Sequence, residues 1–196
     1  MICVLFGPPG SGKGTQAELI TQALGVPHVS TGELLRAEAA TGTALGREVA
    51  PVLEAGELVP DPVIEQLLEQ RLEAPDAAAG AILDGYPRTV PQARALDGRL
   101  ATAGRRVDVV LVLEVDEPTL MARLDSRAAE QHRADDNPAS IAERLVEHRQ
   151  LTEPVLDYYR SEGVPVRGVD GTGDIHTVHR RVLQALRSAG FRASGC

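Results

Sequence analysis

The chain has 196 residues, 43% of them hydrophobic, enough for one compact domain with a full core and too many for a disordered chain. Its formal net charge of -8 argues against a general nucleic-acid binder, since affinity for a phosphate backbone is built from a broad surplus of Lys and Arg. Cys3 and Cys196 are too few for a disulfide framework or a four-ligand zinc site, and no apolar run approaches the roughly 18 residues of a membrane span, so a soluble, untargeted protein is expected, with the cytoplasm as its default compartment and a monomer as its default state.

In chain order, Ile2 to Phe6 is a short apolar run that reads as a strand, followed by a glycine-rich turn and an amphipathic stretch from Lys13 to about Leu24. Val26 to Ser30 suggests a second strand. From Thr31 to about Gly56 the pattern is helical, with Gly42, Gly46 and Pro51 as expected breaks, which marks an inserted helical segment. Asp61 looks like a helix cap, with Pro62 at the first helical position and Ile64, Leu67, Leu68 and Leu72 along one face.

Ala81 to Leu83 is a brief strand ending at Asp84-Gly85, and Val107 to Val115 has the nearly continuous Val and Leu of a strand buried on both faces. Pro118 to about Arg127 reads as helix, Ala128 to Pro138 as polar and irregular, and Ala139 to Glu162 as one long amphipathic helix. Val164 to Val169 gives a fifth strand and Ile175 to Leu186 a terminal helix. Strands alternating with helices imply an α/β fold, a parallel five-stranded sheet with helices on both faces.

Of 20 basic residues, 19 are arginine and only Lys13 is lysine. A position that keeps the compact ammonium needs a reason beyond charge. Gly7-Pro8-Pro9-Gly10-Ser11-Gly12-Lys13 supplies one, because it has the spacing of a phosphate-binding loop and lies between a strand and a helix. Backbone amides of Gly10, Ser11, Gly12, Gly14 and Thr15 would wrap a phosphate at the helix N-terminus, with Lys13 reaching the outer phosphates. An ordinary glycine turn is the competing account. The residue after Lys13 is Gly14 and the hydroxyl follows at Thr15, which displaces the usual magnesium-ligating position by one residue.

Asp84 ends the third strand, where open α/β sheets place their ligands; it could hold Mg2+ through water, or simply form a turn before Gly85. The five histidines show no ligand spacing with a carboxylate or cysteine partner and read as surface or packing residues.

Gly7 to Gln16 (GPPGSGKGTQ) resembles the phosphate loop of adenylate kinases, including its Gly14-Thr15 ending. Val29 to Arg36 is similar to that family's first AMP-binding stretch, and Leu83-Asp84-Gly85-Tyr86-Pro87-Arg88-Thr89 to Gln92 to its second. The resemblance covers essentially the whole chain. It implies a P-loop NTPase-type core (residues 1–29, 60–125 and 139–196), an inserted AMP-binding segment (30–59), a short zinc-free lid (126–138), and reversible transfer from MgATP to AMP giving two ADP.

The resemblance also assigns residues. Thr31, the main chain of Glu57, Leu58 and Val59, the turn Gly85-Tyr86-Pro87, and Gln92 would read the adenine of AMP. Arg36 and Arg88 would clamp its phosphate, although either arginine alone could equally be a solvated helix-face charge. Arg127 would contact ATP, Arg133 and Arg144 would bridge towards AMP and the transferred group, and Gly173 would offer its backbone to the adenine of ATP. Arg123 stays unassigned. Thr31 favours adenine, since uridylate and cytidylate kinases of the superfamily tend to carry Ala there. Kinases of the same fold with other acceptors, and a nucleotide-sensing module without turnover, are the alternatives.

Overall fold

The computed structural model describes residues 1–55, 59–131, 145–146 and 148–191, without the side chains of residues 54, 125–131, 149 and 152. Five parallel strands form one sheet in the order β2-β3-β1-β4-β5: β1 (Ile2–Phe6), β2 (His28–Ser30), β3 (Ala81–Asp84), β4 (Val109–Glu114) and β5 (Val166–Asp170). The register pairs Leu5 with Asp84 and with Leu111. The chain lays β2 outside β3 on one side of β1, then crosses to β4 on the other, so the crevice beyond the carboxyl end of β1 is the switch point where such sheets bind ligands.

Side chains alternate along each strand, and this divides the core into two layers. Ile2, Val4, Phe6, Leu83 and Val110 face one way, packed against Leu68 of α4 (Asp61–Leu72), Leu96 and Leu100 of α5 (Val90–Thr102), and Val155 and Tyr159 of α7 (Glu153–Ser161). Cys3, Leu5, Ile82, Leu111 and Leu113 face the other way, against Ala17 and Ile20 of α1 (Lys13–Leu24) and Val178, Val182 and Leu186 of α8 (Ile175–Ser188). Among the described residues no helix is long and apolar enough to cross a membrane.

Four sequence expectations need correction. Between β2 and α4 lie α2 (Thr31–Ala40) and α3 (Ala44–Glu54), joined by Thr41, Gly42 and Thr43; of the three expected breaks only Gly42 falls between helices, and Gly46 and Pro51 lie inside α3. A Cβ on Gly46 would collide with the Glu38 carbonyl of α2, so this glycine allows two helices to approach closely and does not end one. Asp61 is the first helical residue of α4, not its cap, which is Pro60.

The helix before the expected lid, α6, spans Glu117–Gln131 and so continues beyond Arg127 through the start of the stretch read as irregular. The long helix expected from Ala139 is interrupted where it is described. A π-helical turn at His148–Thr152 precedes α7, and Pro154 has no N–H to offer the Gln150 carbonyl as an unbroken α-helix would require.

Candidate active site

The carboxyl end of β1 runs into the glycine turn and then into α1. Gly10 and Gly12 take positive φ values of 81° and 91°, and Gly12 stands at the N-cap with no side-chain hydrogen bond capping the first turn. The amides of Lys13, Gly14 and Thr15 therefore open the helix with its positive end turned to the crevice. Thr15 is exposed and Ser11 is buried. Lys13 Nζ donates to the carbonyls of Gly7 at 2.8 Å and Pro8 at 3.1 Å, which holds the ammonium against the loop it follows.

Asp84 leaves β3 beside this loop. Its carboxylate lies 3.5 Å from Nε2 of His28, at the start of β2, and both side chains are largely enclosed. Burial pushes the Asp84 carboxyl up, but the opposing pull of His28, Lys13 and Arg88 leaves it below the usual carboxylate range. For His28 burial pushes down, and the Asp84 carboxylate, with Glu33 and Glu18, leaves it raised. The sequence reads His28 as a surface or packing residue, because its partner is 56 positions away and becomes a neighbour only through β2–β3 pairing.

Next to Asp84, Thr31 opens α2, buried, with its hydroxyl 3.4 Å from the Asp84 carbonyl. A Cβ on Gly85, whose φ is 83°, would come within 2.9 Å of that hydroxyl, so only glycine lets the β3 turn pass this close. Arg88 is exposed and donates through Nε to the Gly85 carbonyl at 3.0 Å. Tyr86 and Pro87 are buried, and Tyr86 Oη donates to the Gln92 carbonyl. Gln92, buried at the start of α5, accepts from the Arg88 backbone N–H at 2.7 Å and donates to Asp61 at 2.6 Å. Arg36 is exposed on α2, with its guanidinium over Gly32.

Arg123, left unassigned by sequence, bridges two loops. Its guanidinium donates to the carbonyls of Ser11 at 3.4 Å, Gly171 at 2.9 Å and Gly173 at 3.4 Å, tying the glycine turn after β1 to the loop after β5. Gln16 reinforces the same junction through Nε2 to the Ile175 carbonyl at 3.1 Å. The signal that could have found Arg123 is its spacing: it lies four residues before Arg127 in a helix, on the same face.

The structure thus brings together Lys13, the α1 amides, Asp84, Thr31, Gly85, Arg88 and Gln92 around the carboxyl ends of β1 and β3, with Gly173 joined through Arg123. Val59 is buried in the small core beneath α2 and α3. Glu57, Leu58, Arg133, Arg144 and the side chain of Arg127 lie outside the described residues. As for a metal, Asp84 is a carboxylate held ionised beside a phosphate-type loop. That suits the water shell of a hard divalent cation such as Mg2+.

This arrangement can grip a polyphosphate at a helix N-terminus and meet a second anion with arginine. Known proteins are similar to the chain over nearly their full length. The Adenylate kinase family model matches residues 5–164. The chain is 47% identical over 188 residues to the adenylate kinase of Stenotrophomonas maltophilia (strain K279a), covering 96% of this chain and 100% of that relative. It is 48% identical over 186 residues to that of Caulobacter sp. (strain K31), covering 95% and 98%. Against that of Phenylobacterium zucineum (strain HLK1), 48% identity extends over 189 residues, covering 96% and 99%.

Proposed function

The chain belongs to the adenylate kinase family and is a nucleoside monophosphate kinase that transfers a phosphoryl group between ATP and AMP; from that premise we propose which of its residues carry out the transfer. The observation that supports the assignment is the meeting of Lys13, the uncapped α1 N-terminus, the Asp84 carboxylate and Arg88 beyond β1 and β3.

ATP would sit with its phosphates on the amides of Gly10, Ser11, Gly12, Gly14 and Thr15, with Lys13 leaving the Gly7 and Pro8 carbonyls for the β- and γ-phosphates. The loop at Gly173, steadied by Arg123, would receive its adenine. Thr31, the main chain of Glu57, Leu58 and Val59, the Gly85 turn and Gln92 would take the adenine of AMP, while Arg36 and Arg88 hold its phosphate.

An AMP phosphate oxygen is anionic near neutral pH, so in-line attack on the γ-phosphate needs no general base. What it needs is placement and fixed positive charge. Arg88, Arg127, Arg133 and Arg144 would supply that charge around the transferred group. Mg2+ held through water by Asp84 would neutralise phosphate charge as ATP binds.

Water competes with AMP as acceptor. Segment 30–59 and segment 126–138 would therefore close over the nucleotides before transfer, drawn in by phosphates through Arg36, Arg127 and Arg133. Small-angle scattering with a linked bisubstrate inhibitor tests this closure, and an unchanged radius of gyration would reject it.

A coupled assay offering AMP, CMP, UMP and dAMP with MgATP tests the acceptor, with AMP expected to be strongly preferred. In the same assay Lys13→Arg is expected to lose at least ~100-fold in turnover although charge is kept, because a planar fork cannot take the place of a point-like ammonium inside the loop. Near-normal turnover in that variant would reject the role given to the lone lysine.

A further inference from the structure

Asp61 has no part in the assignments above. It opens α4 without capping it, and its Oδ1 lies 2.6 Å from Nε2 of Gln92. At the other end of the same amide, Oε1 of Gln92 accepts from the Arg88 backbone N–H at 2.7 Å. The two ends of a primary amide are nearly the same size but chemically opposite. The Arg88 N–H can only donate and the Asp61 carboxylate offers acceptors, so both neighbours demand the same orientation. Gln92 is only 5% exposed, which leaves little water to stand in for a missing partner. With those two bonds made, Oε1 keeps one lone pair and Nε2 keeps one N–H.

We propose that Asp61 is a specificity-determining positioning residue: by fixing which way round the Gln92 amide lies, it sets the order in which a spare acceptor and a spare donor meet the base of the monophosphate. In that order the acceptor faces the exocyclic amine of adenine and the donor faces its ring N1. Hypoxanthine presents the reverse, a carbonyl and a protonated N1, and would suit the same amide turned through a half circle. Asp61 supplies the charge-assisted one of the two bonds that oppose this turn. The inference rests on the reading of Gln92 as the residue that meets the base.

The test compares AMP with IMP as acceptor, at saturating MgATP, in the full chain carrying Asp61→Asn or Asp61→Ala, with thermal melting to confirm folding. Asn keeps the size of Asp but presents either an acceptor or a donor to Gln92, so the orientation is no longer dictated even if the Ala variant folds poorly. Both variants are expected to lower the AMP-to-IMP ratio of kcat/KM about tenfold while the KM for ATP stays within about twofold, the ratio corresponding to ~1.4 kcal/mol of lost discrimination.

Equal losses with both acceptors, leaving the ratio unchanged, would make Asp61 merely structural and overturn the proposal. Gln92→Met separates the premise from the inference. If it leaves the ratio at the wild-type value, the base-reading role of Gln92 fails, and the inference with it. If it collapses the ratio while the Asp61 variants do not, only the role of Asp61 fails.

Discussion

Around the sheet, Ile82, Leu83, Val110 and Leu111 are enclosed completely, with helices over both faces. Beneath α2 and α3 the buried set among the described residues is Leu35, Val49 and Val59, resting on Val63, Ile64 and Leu67 along the flank of α4. Full burial of an aliphatic side chain contributes about 1.5–3 kcal/mol, whereas ordering each backbone residue costs about 1–2 kcal/mol. Three such side chains, the buried set among the described residues, cannot hold two helices unaided, so that segment relies on its packing against α4. The lysine and the glycine turn are mounted on the strong core, and Thr31 and Arg36 on the weak one. The segment proposed to close over the nucleotides is thus the part that burial stabilises least.

Truncating each core tests that contrast. The largest effect is expected from Leu83→Ala, a fully buried residue of β3, which should lower the unfolding free energy by about 2–5 kcal/mol in a single urea transition. Val49→Ala removes two carbon groups from the small core, worth about 1.5 kcal/mol at ~0.8 each. That loss should appear as local opening, with faster amide exchange in α2 and α3 and a KM for AMP raised several-fold, while the melting temperature hardly moves. A melting temperature lowered as far as in Leu83→Ala would mean that the two cores unfold as one unit, and the contrast would be wrong.

The smallest effect lies in the outer layer of the strong core. Asp97 of α5 accepts a 2.8 Å hydrogen bond from Tyr158 of α7. Burial holds the Asp97 carboxyl above its usual range, against the pull of that hydrogen bond and with a further push from Glu162. A raised carboxyl favours the protonated form in the fold, so its stabilising effect is complete below the unfolded value near 4 and is lost as pH rises through the folded value. Asp97→Asn, permanently neutral, should therefore melt slightly above the parent at pH 7, and the gap should close towards pH 4. A gap that widens on acidification would contradict this sign.

Much of the fold was legible because its strongest elements are local. β1 is an unbroken apolar run and β4 is one as far as Leu113, and the turn after β1 announces itself through glycine spacing around a single lysine. Misreadings arose where a distant partner decides. Gly46 and Pro51 look like breaks until the close packing of α2 on α3 is seen. Asp61 has a local cap pattern, yet its partner Gln92 lies 31 residues on; the spacing of Arg123 to Arg127 marks its helix face but not its partners, carbonyls 48 and 112 residues away. His28 likewise needs the pairing of β2 with β3 to meet Asp84.

With every other basic residue an arginine, the chain carries two kinds of primary amine: the ε-amine at the glycine turn and the N-terminal ammonium, which donates to the Ala79 carbonyl at 2.7 Å at the opposite end of β1. Amine-directed chemistry therefore addresses one side chain in the whole chain. Reductive methylation with labelled formaldehyde would place a single spectroscopic reporter at the point where phosphate is expected to arrive, with the remaining signal far away to serve as its reference.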